Sequence, residues 1–195
     1  MILYICILVL IFLFFLLYKI KNPPLFLKYN NNISDVTFKT GDLLFLSGNT
    51  KGEKFIKSFL QFEFSHVALC YVHENDVYLL ECDMGSKKRN GSRIIKLKNK
   101  LKRKFYDNII GYRPCIQPLN INTLILHKKM DRFFLAYLFY RIDNSINTCS
   151  EYICNLLKEN NIINKNIKLH KISPKHLYYD FNNIYKKPIL LNNDY

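Results

Sequence analysis

The N-terminal segment from Ile2 to Tyr18 holds seventeen consecutive residues without a charge. That length is at the lower limit for crossing the roughly 30 Å hydrocarbon core of a bilayer, and a helix apolar on every side fits lipid better than a protein core. A cleaved signal peptide would require a positive n-region and a small-residue cleavage site, which the segment lacks. Lys19 and Lys21 follow the span, so the positive-inside rule directs the rest of the chain to the cytoplasm. We expect a retained single-pass anchor over residues 1–20.

The rest of the chain has room for one domain. Residues 21–39 predict a linker, because Pro23 and Pro24 block helix formation and Asn30–Asn32 favour turns. Residues 40–195 are predicted to form the domain. The 195-residue chain is 49% hydrophobic and 15% aromatic, which provides enough apolar side chains for a core and excludes a disordered chain.

Strand-like runs dominate the first half of the domain and helix-like runs the second half. The predicted strands are 41–47, 65–73, 76–84, 92–98 and 108–115, and the predicted helices are 51–62, 122–141, 149–161 and 173–181. Glu74 and Asn75 separate two of these strands and predict a hairpin turn. This order indicates an α+β fold in which helices pack against a mainly antiparallel sheet.

Cys149 is one of six cysteines, and no C-x-x-C spacing typical of a metal site or redox pair occurs. The pattern suits reduced thiols in the cytosol.

Thr148 or Asn147 can cap a helix that begins at Cys149, and the positive end of a helix favours a thiolate. Free N–H groups at the same end can stabilise an oxyanion. A buried structural thiol is the alternative, and it is the commoner role for any single cysteine. Cys154 lies in the helix body and lacks these features.

A thiolate nucleophile needs a base, and the base needs an orienting group. His66 opens the strand 65–73, where a side chain can meet a helix terminus, whereas the other four histidines are predicted to lie on the surface or at a turn (His73, His127, His170 and His176). Glu81 ends an apolar run on the next strand and can approach His66 across the hairpin. A satisfied core histidine and an ordinary strand-end charge are the alternatives.

The order of these motifs resembles a known family. The runs "GDLLFLS", "SHVALCYV", "VYLLECD", "RIIKLK…IIGYRPC" and "NTCSEYICNLL", over about residues 40–182, are similar to the circularly permuted NlpC-type, papain-like cysteine hydrolases. The likeness is closest to the YiiX-like group and its poxvirus relatives, and lecithin retinol acyltransferase-like proteins are more distant. The resemblance implies that Cys149 is the nucleophile, His66 the base and acid, and Glu81 the third member. It implies an amide or ester substrate. The sequence has no P-loop, Gly-rich dinucleotide motif or metal-ligand cluster, so we expect no cofactor or metal.

The stretch Lys87–Lys104 holds ten Lys and Arg residues and no acid, within a chain of net charge +14. It predicts either docking to anionic lipid headgroups or an ordinary solvated face, and nucleic-acid binding is the least favoured interpretation. The sequence therefore predicts a membrane-anchored cysteine hydrolase or acyltransferase. The alternative is a catalytically inactive membrane-tethered adaptor that binds anionic lipid or partners through its basic face.

Overall fold

The computed structural model of the protein describes residues 31–84, 90–102, 106–122, 129–130, 146–168 and 172–195. The predicted anchor, residues 1–20, and the first part of the predicted linker lie outside these ranges. Within the described ranges, no helix is long and apolar enough to cross a membrane.

A seven-stranded sheet, flanked by helices, makes the described part of the chain an α+β fold, as predicted. In spatial order its strands are β1 (Asn31–Asn32), β9 (Ile189–Asn192), β6 (Tyr106–Arg113), β2 (Leu43–Gly48), β3 (His66–His73), β4 (Asp76–Met84) and β5 (Asn90–Lys96). The pairs are antiparallel except for the parallel pair of β1 and β9 at one edge. The sheet is therefore mixed, because the short strand β1 runs parallel to its neighbour.

Four α-helices occur within the described residues: α1 (Lys51–Leu60), α2 (Leu97–Leu101), α3 (Cys149–Glu159) and α4 (Pro174–Tyr179). The helices predicted over 51–62, 149–161 and 173–181 thus have counterparts. The strand predicted over 92–98 was too long, since β5 ends at Lys96 and α2 begins at Leu97. The helix predicted over 122–141 lies largely outside the described residues. Lys129–Met130 within it forms a strand, β7, that pairs with β8 (Ile146–Asn147).

Residues 31–39, predicted to belong to the linker, instead contribute to the domain. Asn31 and Asn32 pair with β9, and a short 3-10 helix over Ile33–Asp35 follows them. Ile33 is completely buried, and Ser34 donates a hydrogen bond to the Asp194 carboxylate. The apolar side chain of Ile33 explains why the segment packs on the sheet although the surrounding residues are polar.

The Gly41–Asp42 turn ties β2 to its neighbours. Gly41 has a φ of +104°, and a Cβ at this position would lie 2.4 Å from Leu119 Cγ, so glycine is required there. The buried Asp42 carboxylate accepts hydrogen bonds from the Tyr112 hydroxyl and the Cys115 backbone N–H, each at 2.8 Å. The "GD" pair thus has a structural role at the entry to the sheet.

Side chains alternate between two apolar clusters, one on each face of the sheet. The first face, which carries Val67, Leu69, Leu80 and Cys82, packs against α3 and α4. The second face, which carries Ala68, Cys70 and Leu79 together with Leu97 and Leu101 of α2, forms the other cluster. The candidate site lies where these two layers meet the start of β3.

Candidate active site

Cys149 is the first residue of α3, as the sequence predicts. Thr148 is the N-cap: its hydroxyl accepts a hydrogen bond from the Glu151 backbone N–H, and its own N–H donates to the Glu151 carboxylate at 2.7 Å. This reciprocal pairing defines where the helix begins and therefore where the thiol stands. Cys149 is 1% exposed.

His66 is the first residue of β3 and contacts both other predicted site residues. Its Nε2 lies 2.8 Å from Glu81 Oε2, and the Cys149 side chain is near enough to the imidazole to raise the pKa of His66. All three predicted site residues are therefore brought together around one imidazole ring.

The approach of His66 to Glu81 follows from the hairpin register. Leu69 pairs with Leu80, so counting along the strands brings Glu81 level with Ala68, two residues after His66. The two are diagonal neighbours rather than directly opposite, a separation that long side chains can span. Both side chains are buried.

Charge and hydrogen bonding perturb both members of this pair. Burial and the Lys100 charge oppose protonation of His66, but the Cys149 side chain, the hydrogen bond to Glu81 and the Glu81 charge outweigh them, so the pKa of His66 lies well above its usual value of 6.5. Burial would raise the pKa of Glu81, yet His66 and Lys100 hold that pKa well below its usual range. Glu81 is therefore ionised at neutral pH and stabilises an imidazolium.

Two cations outside the predicted triad also hold Glu81. Lys100 Nζ lies 2.8 Å from Glu81 Oε1 and 2.8 Å from Oε2, and it donates to Asp83 Oδ2 at 2.8 Å. Arg93 Nε donates to Glu81 Oε1 at 2.8 Å, and Arg93 also pairs with Asp83. Beside Cys149, the site therefore contains a charged network of five residues: His66, Glu81, Asp83, Arg93 and Lys100.

Two signals in the sequence could have found these cations. Arg93 is directly opposite Glu81 in the pairing of β4 with β5, where opposite charges attract across a sheet. Lys100 shares the buried side of α2 with Leu97 and Leu101, at spacings of three and one residues. Both lie in the stretch Lys87–Lys104, so among its residues that the structure describes, Arg93 and Lys100 point toward the site carboxylates rather than toward a partner.

The ligand atoms of His66, Glu81 and Asp83 all lie within 4.8 Å of one another, a grouping that could in principle hold a metal ion. Both carboxylates, however, already receive hydrogen bonds from Lys100 and Arg93. A metal ion there would have to compete with two buried positive charges. The arrangement thus suits an ion-pair network better than a metal centre.

The remaining predicted candidates lie away from this network or outside the described residues. His73 and His176 are exposed, as predicted, and His127 and His170 lie outside the described ranges. Burial raises the pKa of the Cys154 thiol to about 12, with a contribution from the Glu151 charge. Burial, with the Asp42 carboxylate nearby, likewise raises the pKa of Cys70 well above its usual range and that of Cys115 to about 12.

The chain matches no protein-family model, and no curated protein matches it. The resemblance to permuted NlpC-type hydrolases therefore remains a prediction from the motifs, and the function has to be argued from the site.

Proposed function

We propose that the protein is a membrane-anchored cysteine hydrolase or acyltransferase that cleaves an amide or ester bond through Cys149, His66 and Glu81. One observation carries the proposal: the imidazole of His66 is hydrogen-bonded to a buried, ionised carboxylate and lies beside the cysteine that begins α3. A nucleophile next to a base that is itself held by a carboxylate is the arrangement that thiol acyl transfer requires.

In the first step, the proton of the Cys149 thiol is already on His66, and the sulfur attacks the substrate carbonyl carbon. A C–S bond forms, and the carbonyl electron pair moves to oxygen to give a tetrahedral oxyanion. The first N–H groups of a helix have no acceptor within the helix, so those at the start of α3 can donate to this oxyanion. Collapse of the intermediate breaks the C–N or C–O bond, and the imidazolium of His66 protonates the leaving amine or alcohol.

In the second step, His66 removes a proton from water or from another acceptor, which attacks the thioester carbon. The C–S bond breaks, the acid or new acyl product leaves, and the proton returns to the Cys149 sulfur through His66. Glu81 stays ionised throughout and stabilises the imidazolium that forms in each step. Because Cys149 is 1% exposed, a substrate reaches the sulfur only when neighbouring groups move.

The apolar span over residues 2–18 supports a membrane location for the activity. An enzyme held at a bilayer meets lipids and membrane-associated proteins at high local concentration. We therefore expect the amide or ester bond to belong to a lipid or to a membrane-associated substrate, on the cytoplasmic side.

The adaptor alternative relies on the basic stretch as a binding face. Within residues 90–102 of that stretch, Arg93 and Lys100 pair with the site carboxylates, and Lys96 pairs with Asp76 at 2.7 Å. These contacts reduce the positive charge that is free to attract anionic lipid. They favour the catalytic proposal over the adaptor.

Labelling of the full-length protein by a thiol-directed acyl probe tests the proposal. Probe attachment should occur at Cys149, should be lost in Cys149→Ala, and should fall at least tenfold in His66→Ala. Cys154→Ala is the matched control, since Cys154 is buried in the same helix, and it should label normally. Equal labelling of the wild type and Cys149→Ala would refute the catalytic role.

A further inference from the structure

Lys100 is the most deeply buried cation of the site. Its side chain is 0% exposed, and it comes from α2, a five-residue helix whose buried residues are Leu97, Lys100 and Leu101. A lysine is seldom buried so completely unless it is paired, because a desolvated ammonium is costly. Lys100 reaches two carboxylates, and its ammonium also lies 5.0 Å from the ring centre of Tyr106.

The formal charges of the network balance without His66. Glu81 and Asp83 carry two negative charges, and Arg93 and Lys100 carry two positive charges, so these four residues sum to zero. If Lys100 were absent, the remainder would carry one net negative charge beside the imidazole. That charge would strengthen the binding of the proton to His66 and slow its transfer. This is a disadvantage because a general base works best when its pKa is near the working pH.

We propose that Lys100 is a positioning residue of the catalytic site: it holds the Glu81 carboxylate toward His66 and limits how strongly His66 retains its proton. This inference rests on the proposed acyl-transfer function. Through its two contacts to the Glu81 carboxylate, Lys100 fixes the carboxylate plane, and through its charge it offsets Asp83.

The direction of each electrostatic effect agrees with this role. The Lys100 charge lowers the proton affinity of His66, and the Asp83 carboxylate and His66 stabilise one another's charged forms. The titratable and charged groups that face the imidazole or its network come from five elements: Cys149 and Tyr152 of α3, Glu81 and Asp83 of β4, Arg93 of β5, Lys100 of α2 and Tyr106 of β6.

Two substitutions with opposite predicted effects test the inference. Lys100→Met removes one positive charge with little change in length and should raise the pKa of His66 by about one unit or more. Asp83→Asn removes one negative charge and should lower that pKa. Lys98→Met, on an exposed position of the same helix, is the control and should leave it unchanged. The readout is an NMR titration of carbon-13-labelled histidine rings in the full-length protein, with the His66 signal assigned from His66→Gln.

A purely structural role for Lys100 would not produce shifts of opposite sign. The inference is overturned if His66 titrates as in the wild type in both variants, or if both shift it in the same direction. Should Lys100→Met fail to fold, Asp83→Asn decides alone, because Asp83 is partly exposed and tolerates an isosteric change better. Acyl-probe labelling of Cys149 in the wild type is measured separately. If the pKa of His66 shifts as expected in the variants but Cys149 is not labelled, the enzyme proposal fails. If Cys149 is labelled but the pKa of His66 does not shift, the role of Lys100 fails.

The rate of deacylation gives a second measurement. At neutral pH, Lys100→Met should slow the release of the acyl group from Cys149 more than it slows acylation, because His66 must accept a proton from water. A pH–rate profile displaced upward along the pH axis is expected. An unchanged profile with a uniformly lower rate would indicate a folding defect instead and would overturn the inference.

Discussion

Cys149 and Glu81 belong to opposite faces of the seven-stranded sheet, and both interact with the same imidazole. Cys149 belongs to the apolar cluster that includes Leu80 and Cys82, on the face covered by α3. Glu81 lies between those two residues along β4 and therefore points to the other face. His66 interacts with both because it is the first residue of β3, at the end of the strand.

Alkylation should distinguish Cys149 from the other cysteines. At mildly acidic pH, iodoacetamide should modify Cys149 first, because the positive charge of the His66 imidazolium and of the start of α3 lies beside its sulfur, while burial raises the pKa of Cys154 to about 12. Both thiols are buried, so access does not separate them. Per-residue mass spectrometry of the full-length protein measures the order.

The same experiment has a matched pair of histidine variants. His66→Ala should remove the preference for Cys149, whereas His73→Ala, at an exposed turn position, should not. If Cys149 is alkylated no faster than Cys154, and if its alkylation rate does not change in His66→Ala, the thiol has a structural role.

The stability of the fold should decrease as pH rises above neutrality because of His66. Its pKa is raised in the folded state, so its contribution is fully present below the ordinary value of 6.5 and is lost as pH rises through the folded value. Between those two values, the free energy of unfolding should fall by about 1.4 kcal/mol per pH unit. Urea unfolding of the wild type against His66→Gln isolates this slope, and His73→Gln should retain it. Parallel curves for the wild type and His66→Gln would contradict the raised pKa.

Removal of the Glu81 charge should destabilise the fold far more than removal of an exposed one. Glu81→Gln leaves Lys100 and Arg93 without a full counter-charge in a buried site, which costs about 3–5 kcal/mol when one partner of a buried pair is lost. Asp76→Asn breaks the exposed pair with Lys96, whose charges are screened by solvent, and should destabilise the fold much less. Chemical denaturation compares the two variants. Similar losses in both would mean that the network is not a buried charge cluster.

The topology of the chain remains a prediction that protease protection can test. In sealed membranes with the cytoplasmic side outward, added protease should digest the domain and leave a protected fragment of about the length of residues 1–20. A domain that resists digestion until detergent is added would place it on the opposite side. A mature chain that lacks residues 1–20 would contradict a retained anchor.

Local patterns in the sequence predicted the elements that carry the site. Thr148 or Asn147 before the helical run marks a helix start, and Glu74–Asn75 marks a hairpin; the helix is capped by Thr148 and the hairpin occurs as expected. The triad members could be named because each stands at a strand or helix position that such patterns identify.

Local sequence patterns do not predict contacts between residues that are far apart in the sequence. β9 is only four residues long and pairs with β6, about eighty residues earlier, so no periodicity identifies it. Lys100 was assigned to a basic surface because its neighbours along the chain are basic, although its helical position with Leu97 and Leu101 buries it. Burial of a charge depends on partners brought by other elements, which a window of local sequence does not contain.

The position of β9 also determines when the sheet can be completed. β9 is synthesised after every other strand of the sheet, yet it lies between β6 and β1 and is the strand to which β1 pairs. During translation, β1 must wait for about 160 residues to emerge before its partner exists, and contacts so distant in sequence form slowly. Until then one side of β6 presents open hydrogen-bonding groups, so a nascent chain stalled before residue 189 is the form in which this protein would be most prone to aggregate or to engage a chaperone.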